Sequence, residues 1–380
     1  MQRYARLRED RYGRWVTLPF KPLPALLIAC LWLGGCKSEP TSPVAECVHE
    51  GAGFCWTDMG FHGEITAIAD TPWGLFVGTH GEGLFRLEAG GWTSAGFPGA
   101  MVASIAVGAD PAQLVVGFRP GSAGSVPSAI VRSRDGGGSW EVADGGWSDL
   151  ANRRWADLVA ILPGEPEVVL WASRSLILRS EDGTESWTAV EGSVEPVLGG
   201  WSLRDWAHED GSSTVYAGAA NEFEVTSGAF FLRTEDRGLT WELSSVVGDL
   251  EPGQGAGPDA FRSVAHRPGF PGEIVATKSF RDLYSSDGGN TWSIGPREPS
   301  ANRLVVWPDW SADPIGFGTS SSDFGAGPLE VRGSPDRGRT WQAEAGIPEL
   351  LLPEVPVVGI DLQGRLLLTV EGGLWRLEPR

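Results

Sequence analysis

Three arginines occupy one position of a repeated pattern. LRDWAH (Leu203 to His208), FRSVAH (Phe261 to His266) and NRLVVW (Asn302 to Trp307) align so that Arg204, Arg262 and Arg303 coincide. Arg154, in NRRWADL, lies close to the equivalent place one repeat earlier. A guanidinium carries a planar fork of N–H donors that grips carboxylate or phosphate in a bidentate way. Trp155, Trp206 and Trp307 sit nearby and offer stacking surface. Arg154, Arg204, Arg262, Arg303 and Trp206 therefore form a candidate site for an anionic ligand. A structural reading competes with it, in which each arginine pairs with an acid of the next repeat, such as Asp157, Asp205 or Asp259. The sequence leaves both open.

The elements that would position these side chains are short strands. Five copies of one motif run along the chain: SRDGGGSW (Ser133 to Trp140), SEDGTESW (Ser180 to Trp187), TEDRGLTW (Thr234 to Trp241), SSDGGNTW (Ser285 to Trp292) and SPDRGRTW (Ser334 to Trp341). From Trp to Trp the steps are 47, 54, 51 and 49 residues. An apolar strand precedes each copy, for example Ala129-Ile130-Val131 and Phe230-Phe231-Leu232. A period near fifty with strand-type sequence predicts stacked four-stranded sheets, hence an all-β propeller. The carboxylate of each Asp is expected to accept bonds from turn N–H groups, and the Gly to take a positive φ. Those five Asp residues are read as turn formers and not as catalysts. The second copy has Thr184 where the others have Gly, and a distorted turn is expected there.

The motif Ser/Thr-x-Asp-x-Gly-x-Ser/Thr-Trp resembles the Asp-box, or BNR repeat, of sialidase-like propellers. The resemblance covers most of the chain after residue 50. Sialidases use an Arg trio, a Tyr nucleophile with a Glu partner, an acid–base Asp and an early Phe-Arg-Ile-Pro type motif. Here Phe118-Arg119-Pro120 is a faint echo of that motif, and only Tyr216 and Tyr284 follow the N-terminal segment. Both lie in strand runs, so sialidase chemistry is not expected. Asp-box enzymes that cut plant polysaccharide set two propellers face to face, and one is expected here. Arginines on the inner strands also resemble the photosystem II assembly and stability factor family, which is non-enzymatic. That resemblance implies a binding channel, and its partner is not carried over.

Two further segments read as blades without the Asp: Ile65 to Trp92 and Val357 to Glu378. The second has three strands. Phe54-Cys55-Trp56-Thr57 is expected to pair with Gly373 to Leu377 and supply the fourth, which closes a ring of seven blades and removes sheet edges. The outer-strand tryptophans are then residues 56, 92, 140, 187, 241, 292 and 341.

Residues 1–36 read as a targeting segment. Six basic residues precede an apolar stretch, Leu23 to Leu33, that is short for a spanning helix and fits a secretory signal. It ends in Leu33-Gly34-Gly35-Cys36, which resembles the bacterial lipobox; the resemblance implies acylation of Cys36 and an anchored protein. Lys37 follows, and an outer-membrane or cell-surface location is expected. Residues 37–46 are a polar tether and 47–380 the propeller. Cys47 and Cys55 are candidates for a disulfide in an oxidising compartment.

The whole chain carries a net charge of −19 over 380 residues. Without residues 1–36 the count is 24 basic against 47 acidic, a balance of −23. This excludes nucleic acid and anionic membrane surfaces as expected partners. No phosphate loop, HExxH or GxSxG occurs. His49, His62, His80, His208 and His266 lack ligand spacing, so no metal or cofactor is expected. The sequence thus points to a lipid-anchored binding or scaffold propeller that takes a protein partner or an anionic glycan at its channel mouth. The polar loops Gly248 to Pro258 and Thr319 to Gly327 are expected to help. A glycan-active protein, either a degenerate hydrolase or a carbohydrate binder, is the alternative.

Overall fold

Runs such as Val168–Ser173, Ile274–Lys278, Ile315–Thr319 and Leu366–Val370 are buried at every position. A strand buried on both faces must lie inside a sheet that is itself covered on both sides. The computed structural model shows how this is done. It describes residues 47, 49–51, 53–119, 128–147, 156–173, 176–190, 201–208, 212–221, 230–243, 261–278, 281–296, 302–319, 327–353, 356–371 and 373–379. The chain divides into Met1–Val44, which lies outside the described residues, and the compact unit Ala45–Arg380.

Seven antiparallel sheets form that unit. Blade 1 runs from an inner strand Ile65–Thr71 through Gly74–Thr79 and Leu84–Glu88 to an outer strand Gly91–Gly96. Blades 2 to 6 repeat this order from inner strands Met101–Val107, Leu158–Leu162, Trp201–His208, Phe261–His266 and Asn302–Val306. Blade 7 takes Val358–Ile360, Leu366–Val370 and Gly373–Pro379 from the C-terminal end and Phe54–Asp58 as its fourth strand. Each inner strand neighbours the next, and that of blade 7 neighbours that of blade 1. The protein is a seven-bladed β-propeller.

Ring closure follows the expected pairing, with the register running from Phe54 opposite Pro379 to Asp58 opposite Trp375. A short strand, His49–Gly51, adds a fifth member outside it. Cys47 is disulfide-bonded to Cys55 within this blade, with Cα atoms 5.4 Å apart.

The core lies between blades. Leu162, Leu170 and Ile177 of blade 3 pack against Val215, Ala217 and Leu232 of blade 4, and blades 6 and 7 share a larger cluster around Trp56 and Phe317. Close approach demands a small residue at one point of the second strand. A Cβ on Gly78, Gly117 or Gly218 would lie 2.4–2.7 Å from Val102, Ala156 or Phe261 of the following blade.

The Asp turns and their tryptophans lock neighbouring blades. In blade 2, Asp135 accepts the Ser139 N–H at 2.8 Å and hydroxyls of Ser139 and Ser133 at 2.6 and 2.8 Å, and the Gly137 N–H donates to Ser133 Oγ at 2.8 Å. The same set recurs around Asp182, Asp236, Asp287 and Asp336. The expected distortion at Thr184 does not occur. Its N–H donates to Ser180 at 2.9 Å, and its φ of 75° matches the 79–90° of Gly137, Gly238, Gly289 and Gly338. The neighbouring blade makes room, since Val115 lines a 110 Å³ cavity next to Thr184 where Phe76 and Leu170 crowd Gly137 and Gly238. Trp140 and Trp187 donate their indole N–H groups to Ala95 O and Ala143 O of the preceding blade. Third-strand arginines reach the other way. Arg86, Arg132, Arg179 and Arg233 each donate to a carbonyl in the next blade's Asp turn: Gly136, Gly183, Arg237 and Gly288.

Candidate functional site

The seven inner strands run in one direction around a central channel of about 820 Å³. Their starts define one face of the ring, where the second strands end and the third strands begin. Their ends define the other, which also carries the Asp turns. Contacts between Trp73 and Gly136, and between Gly272 and Gly288, join the two kinds of turn on that second face.

The predicted arginines share a backbone feature that their spacing alone does not reveal. In blade 4, Leu203 pairs with Ala219 and Asp205 with Gly218, which leaves Arg204 as an extra, unpaired residue. Phe261 and Ser263 leave Arg262 in the same way, and Asn302 and Leu304 leave Arg303. Each is a β-bulge, a device that re-aims one side chain and is common beside functional sites. Blades 1 and 2 have the same bulge, occupied by Thr66 and Ala103. The structure therefore puts Arg204, Arg262 and Arg303 at one register position of three consecutive blades.

Arg262 lines the channel and is exposed, and Trp206 lines it half-buried. The side chains of Arg204 and Arg303 lie outside the described set, as do Arg154, Trp155, Asp259 and Cys36. So do residues 244–260 and 320–326, which hold most of the two loops singled out in the sequence.

Two of the acids named as possible arginine partners have partners among the described residues. Asp157 is buried and takes the Arg119 Nε at 2.5 Å, from blade 2 to blade 3. Asp205 accepts its neighbour Trp206 N–H at 2.9 Å and, across to blade 5, the Val264 N–H at 2.9 Å. Enclosure between the blades raises its carboxyl to about 6, against the pull of the Val264, Ser263 and Trp206 donors. Hydroxyls do the corresponding work elsewhere: Thr66 donates to Val102 O, and Ser104 and Ser263 bond the backbone of Val159 and Val305.

The described mouth holds both signs. Glu64 lies 3.4 Å from His80 in blade 1, Arg119 and Asp157 follow, and Arg262 stands on the arginine side. Deeper in, the wall is apolar, with Ile68, Ile105, Val159, Val264 and Val305. A polar rim over an apolar bore suits an extended segment that presents charge at the rim. Sequence reasoning did not select Arg119 or His80 for the channel. Arg119 ends a second strand next to Pro120, and only the blade geometry turns it inward.

Tyr216 and Tyr284 are both buried in inter-blade clusters. Tyr216 stacks with Phe231 and His266, and the Arg339 guanidinium covers the Tyr284 ring at 4.0 Å. Among the described residues no three His, Cys, Asp or Glu side chains are grouped to hold a metal ion. No helix of the described residues is long and apolar enough to cross a membrane.

Solved structures share this fold. No protein-family model and no curated protein matches the chain. The extracellular domain of the BT4673 one-component system from B. thetaiotaomicron superposes with a TM-score of 0.58 at 10% identity, over 86% of this chain and 40% of that one. YCF48 bound to D1 peptide gives 0.53 at 12% identity, over 90% of this chain and 100% of that one. The GH74 xyloglucanase from Xanthomonas campestris gives 0.51 at 16% identity, over 84% of this chain. The chain spans 43% of that enzyme's length. At these identities the likeness is one of fold.

Proposed function

We propose that this chain is an exported, lipid-anchored propeller of the Asp-box type that binds or scaffolds a partner and performs no catalysis. The observation that carries this reading is the bulge register. Three consecutive blades have Arg204, Arg262 and Arg303 at the inner-strand bulge, and Arg262 is exposed on the channel. Guanidinium groups set on a rigid ring of strands favour a carboxylate-bearing ligand, whose ordering cost is lowered by the fixed geometry. The ligand class is a protein segment rich in Asp and Glu, or ending in a free carboxylate, that enters the channel mouth. YCF48, which has the same fold, is bound to a D1 peptide in its structure, and this supports a peptide ligand here. Burial of Tyr216 and Tyr284 removes the tyrosines that a sialidase-like nucleophile would need.

The lipid-anchor part rests on Leu33-Gly34-Gly35-Cys36, the polar tether 37–46 and the Cys47–Cys55 bond, which suits an oxidising compartment.

Affinity capture from native membranes tests the reading, with wild type beside an Arg204→Ala/Arg262→Ala/Arg303→Ala variant whose melting temperature is unchanged. Loss of a captured protein in the variant, restored by no salt condition, supports it. Equal capture by both forms sinks it. An anionic glycan captured in place of protein shifts the reading to the carbohydrate binder.

A further inference from the structure

One arginine of the channel mouth does not belong to the bulge set. Arg119 ends the second strand of blade 2, Leu114–Arg119, and lines the channel. The bulge of its own blade holds Ala103.

The strand register shows what position Arg119 occupies. In blade 2, Val102 just before the bulge pairs with Phe118, and Arg119 is the next residue along the second strand. The same count gives His80 in blade 1, Ala220 in blade 4 and Thr319 in blade 6. The blade 5 residue lies outside the described residues. Two positions around the mouth are thus used in alternation. Blades 4 and 6 have arginine at the bulge and an uncharged residue on the second strand. Blades 1 and 2 have Thr66 and Ala103 at the bulge, and their second strands lead into His80 and Arg119. With only a methyl group at position 103, the mouth at blade 2 is open to the Arg119 side chain, and both residues line the channel.

This guanidinium is held in place without being saturated. Asp157, buried at the start of blade 3 with its own N–H on Ala172 O at 2.8 Å, accepts the Arg119 Nε. Among the described residues that is the one hydrogen bond the Arg119 side chain makes. The clasp Arg132 is different. It engages Nε and both Nη groups, on Glu141, Gly183, Thr184 and Glu185, and its side chain is 9% exposed against 36% for Arg119. A carboxylate on Nε fixes the plane of the fork and leaves the two Nη groups to donate to a second carboxylate. Because the side chain is already tied, it loses little freedom when that carboxylate arrives.

We propose that Arg119 is a further ligand-binding residue of the mouth, and that the ligand therefore carries at least two separated carboxylates. The proposal rests on the binding role of Arg204, Arg262 and Arg303. Blade 2 and blade 5 are three blades apart, the largest separation in a ring of seven. One carboxylate cannot meet Arg262 and Arg119 on opposite walls of the channel. A segment with several Asp or Glu residues can, so the geometry selects it over a segment whose only anion is its C-terminus. Blade 1 bounds the arc, since Glu64 stands 3.4 Å from His80 there and adds negative charge. Asp157 offsets part of the Arg119 charge, so recognition at this point works through the shape of the fork more than through net charge.

The test measures fluorescence anisotropy of two N-terminally labelled peptides with the full chain in non-ionic detergent at fixed ionic strength. One peptide is hexaglutamate amide, and the other is hexaglutamine with a free C-terminal carboxylate. Wild type should bind hexaglutamate the more tightly. Arg119→Ala and Arg119→Lys should each weaken hexaglutamate binding about tenfold, as expected for one charge-assisted contact. Lysine keeps a cation beside Asp157 but lacks the fork, so Arg119→Lys should bind weakly at an unchanged melting temperature. Weaker binding that comes with a lower melting temperature in Arg119→Lys returns Arg119 to a structural ion pair. Wild-type affinity in both Arg119 variants, with binding lost in Arg204→Ala/Arg262→Ala/Arg303→Ala, overturns this inference and leaves the role of the three bulge arginines standing. Equal affinity of wild type for the two peptides overturns the ligand with two carboxylates. A triple variant that binds hexaglutamate as wild type does, or a wild type that does not bind it, sinks both.

Discussion

Asp205 of blade 4 accepts the backbone N–H of Val264 in blade 5 at 2.9 Å, where Ser104 of blade 2 and Ser263 of blade 5 use a hydroxyl to accept the corresponding N–H of the next blade. Thr66, Ser104 and Ser263 make neutral bridges that do not titrate near neutrality. Asp205 makes one that does, and it stands next to Arg204 in sequence, at the candidate mouth.

Stability should therefore fall as pH rises through the range of this carboxyl. Its folded value is about 6 against an ordinary value near 3.8. The folded state then holds the proton more tightly than the unfolded state. That contribution is fully present below pH 3.8 and is lost as pH rises through 6. A shift of this size corresponds to about 3 kcal/mol. Denaturant melts of wild type and Asp205→Asn between pH 4 and 7 check it. The decline should be absent in Asp205→Asn; an identical decline in both would assign it to another group.

The Asp turns should give the opposite slope at lower pH. Bonds from Ser139 and Ser133 hold the Asp135 carboxyl down at about 2. For Asp236 and Asp287 partial burial pulls upward, but the donors of Thr240 and Thr291 outweigh it and the value ends below the ordinary one. A lowered folded pKa means that stability is present above about 4 and is lost as pH falls towards 2. Acid melting should begin below pH 4. Asp287→Asn should soften that limb and lower the melting temperature by a few degrees at pH 7. An unchanged acid limb in variants of several turns would count against this account.

Much of the ring was legible because the repeats are local. Each Asp turn is specified within eight residues, and the pairing of Phe54 to Asp58 with the last strand follows from a blade that lacks its fourth member. The arginine alignment was legible as a register, but the bulge that gives it meaning depends on pairing with a second strand ten to twenty residues away. Arg119 and Asp157 come together across a blade boundary, which no short pattern encodes. Thr184 misled because the sequence shows a β-branched residue in a glycine position. The space beside Thr184 is a cavity lined by Val115, in another blade. The third-strand arginines, Arg86, Arg132, Arg179 and Arg233, repeat as regularly as the channel set and turn out to be inter-blade clasps. Repetition of an arginine alone therefore does not mark a binding site; what sets Arg204, Arg262 and Arg303 apart from the clasps is their place on an inner-strand bulge.

Gly238 and Gly183 should respond differently to alanine. Both have a positive φ, 79° and 70°. A Cβ on Gly238 would lie 2.6 Å from Leu170 Cδ2 in the preceding blade, whereas the nearest atom to one on Gly183 is the end of Arg132 at 3.8 Å. Gly183→Ala should cost only the backbone term, about 1–2 kcal/mol. Gly238→Ala adds overpacking and should cost about 2–4 kcal/mol in all. Urea melts of the two variants would give the difference; equal losses would mean that blade 3 yields at Leu170 without cost.

Ring closure should be the most expensive contact to break. Trp56 is fully buried in the strand that joins the two ends of the chain, and it packs in the cluster shared by blades 6 and 7. Trp56→Ala should destabilise the propeller by about 3–5 kcal/mol. Because the neighbouring strand Gly373–Pro379 would lose its cover, amides of Leu374 and Leu377 should exchange faster with solvent than those of Val169 or Leu170 in blade 3. Hydrogen exchange on wild type and Trp56→Ala distinguishes the cases. Exchange that accelerates equally in blades 3 and 7 would show that the ring opens only as a whole, with no weak seam at the closing blade.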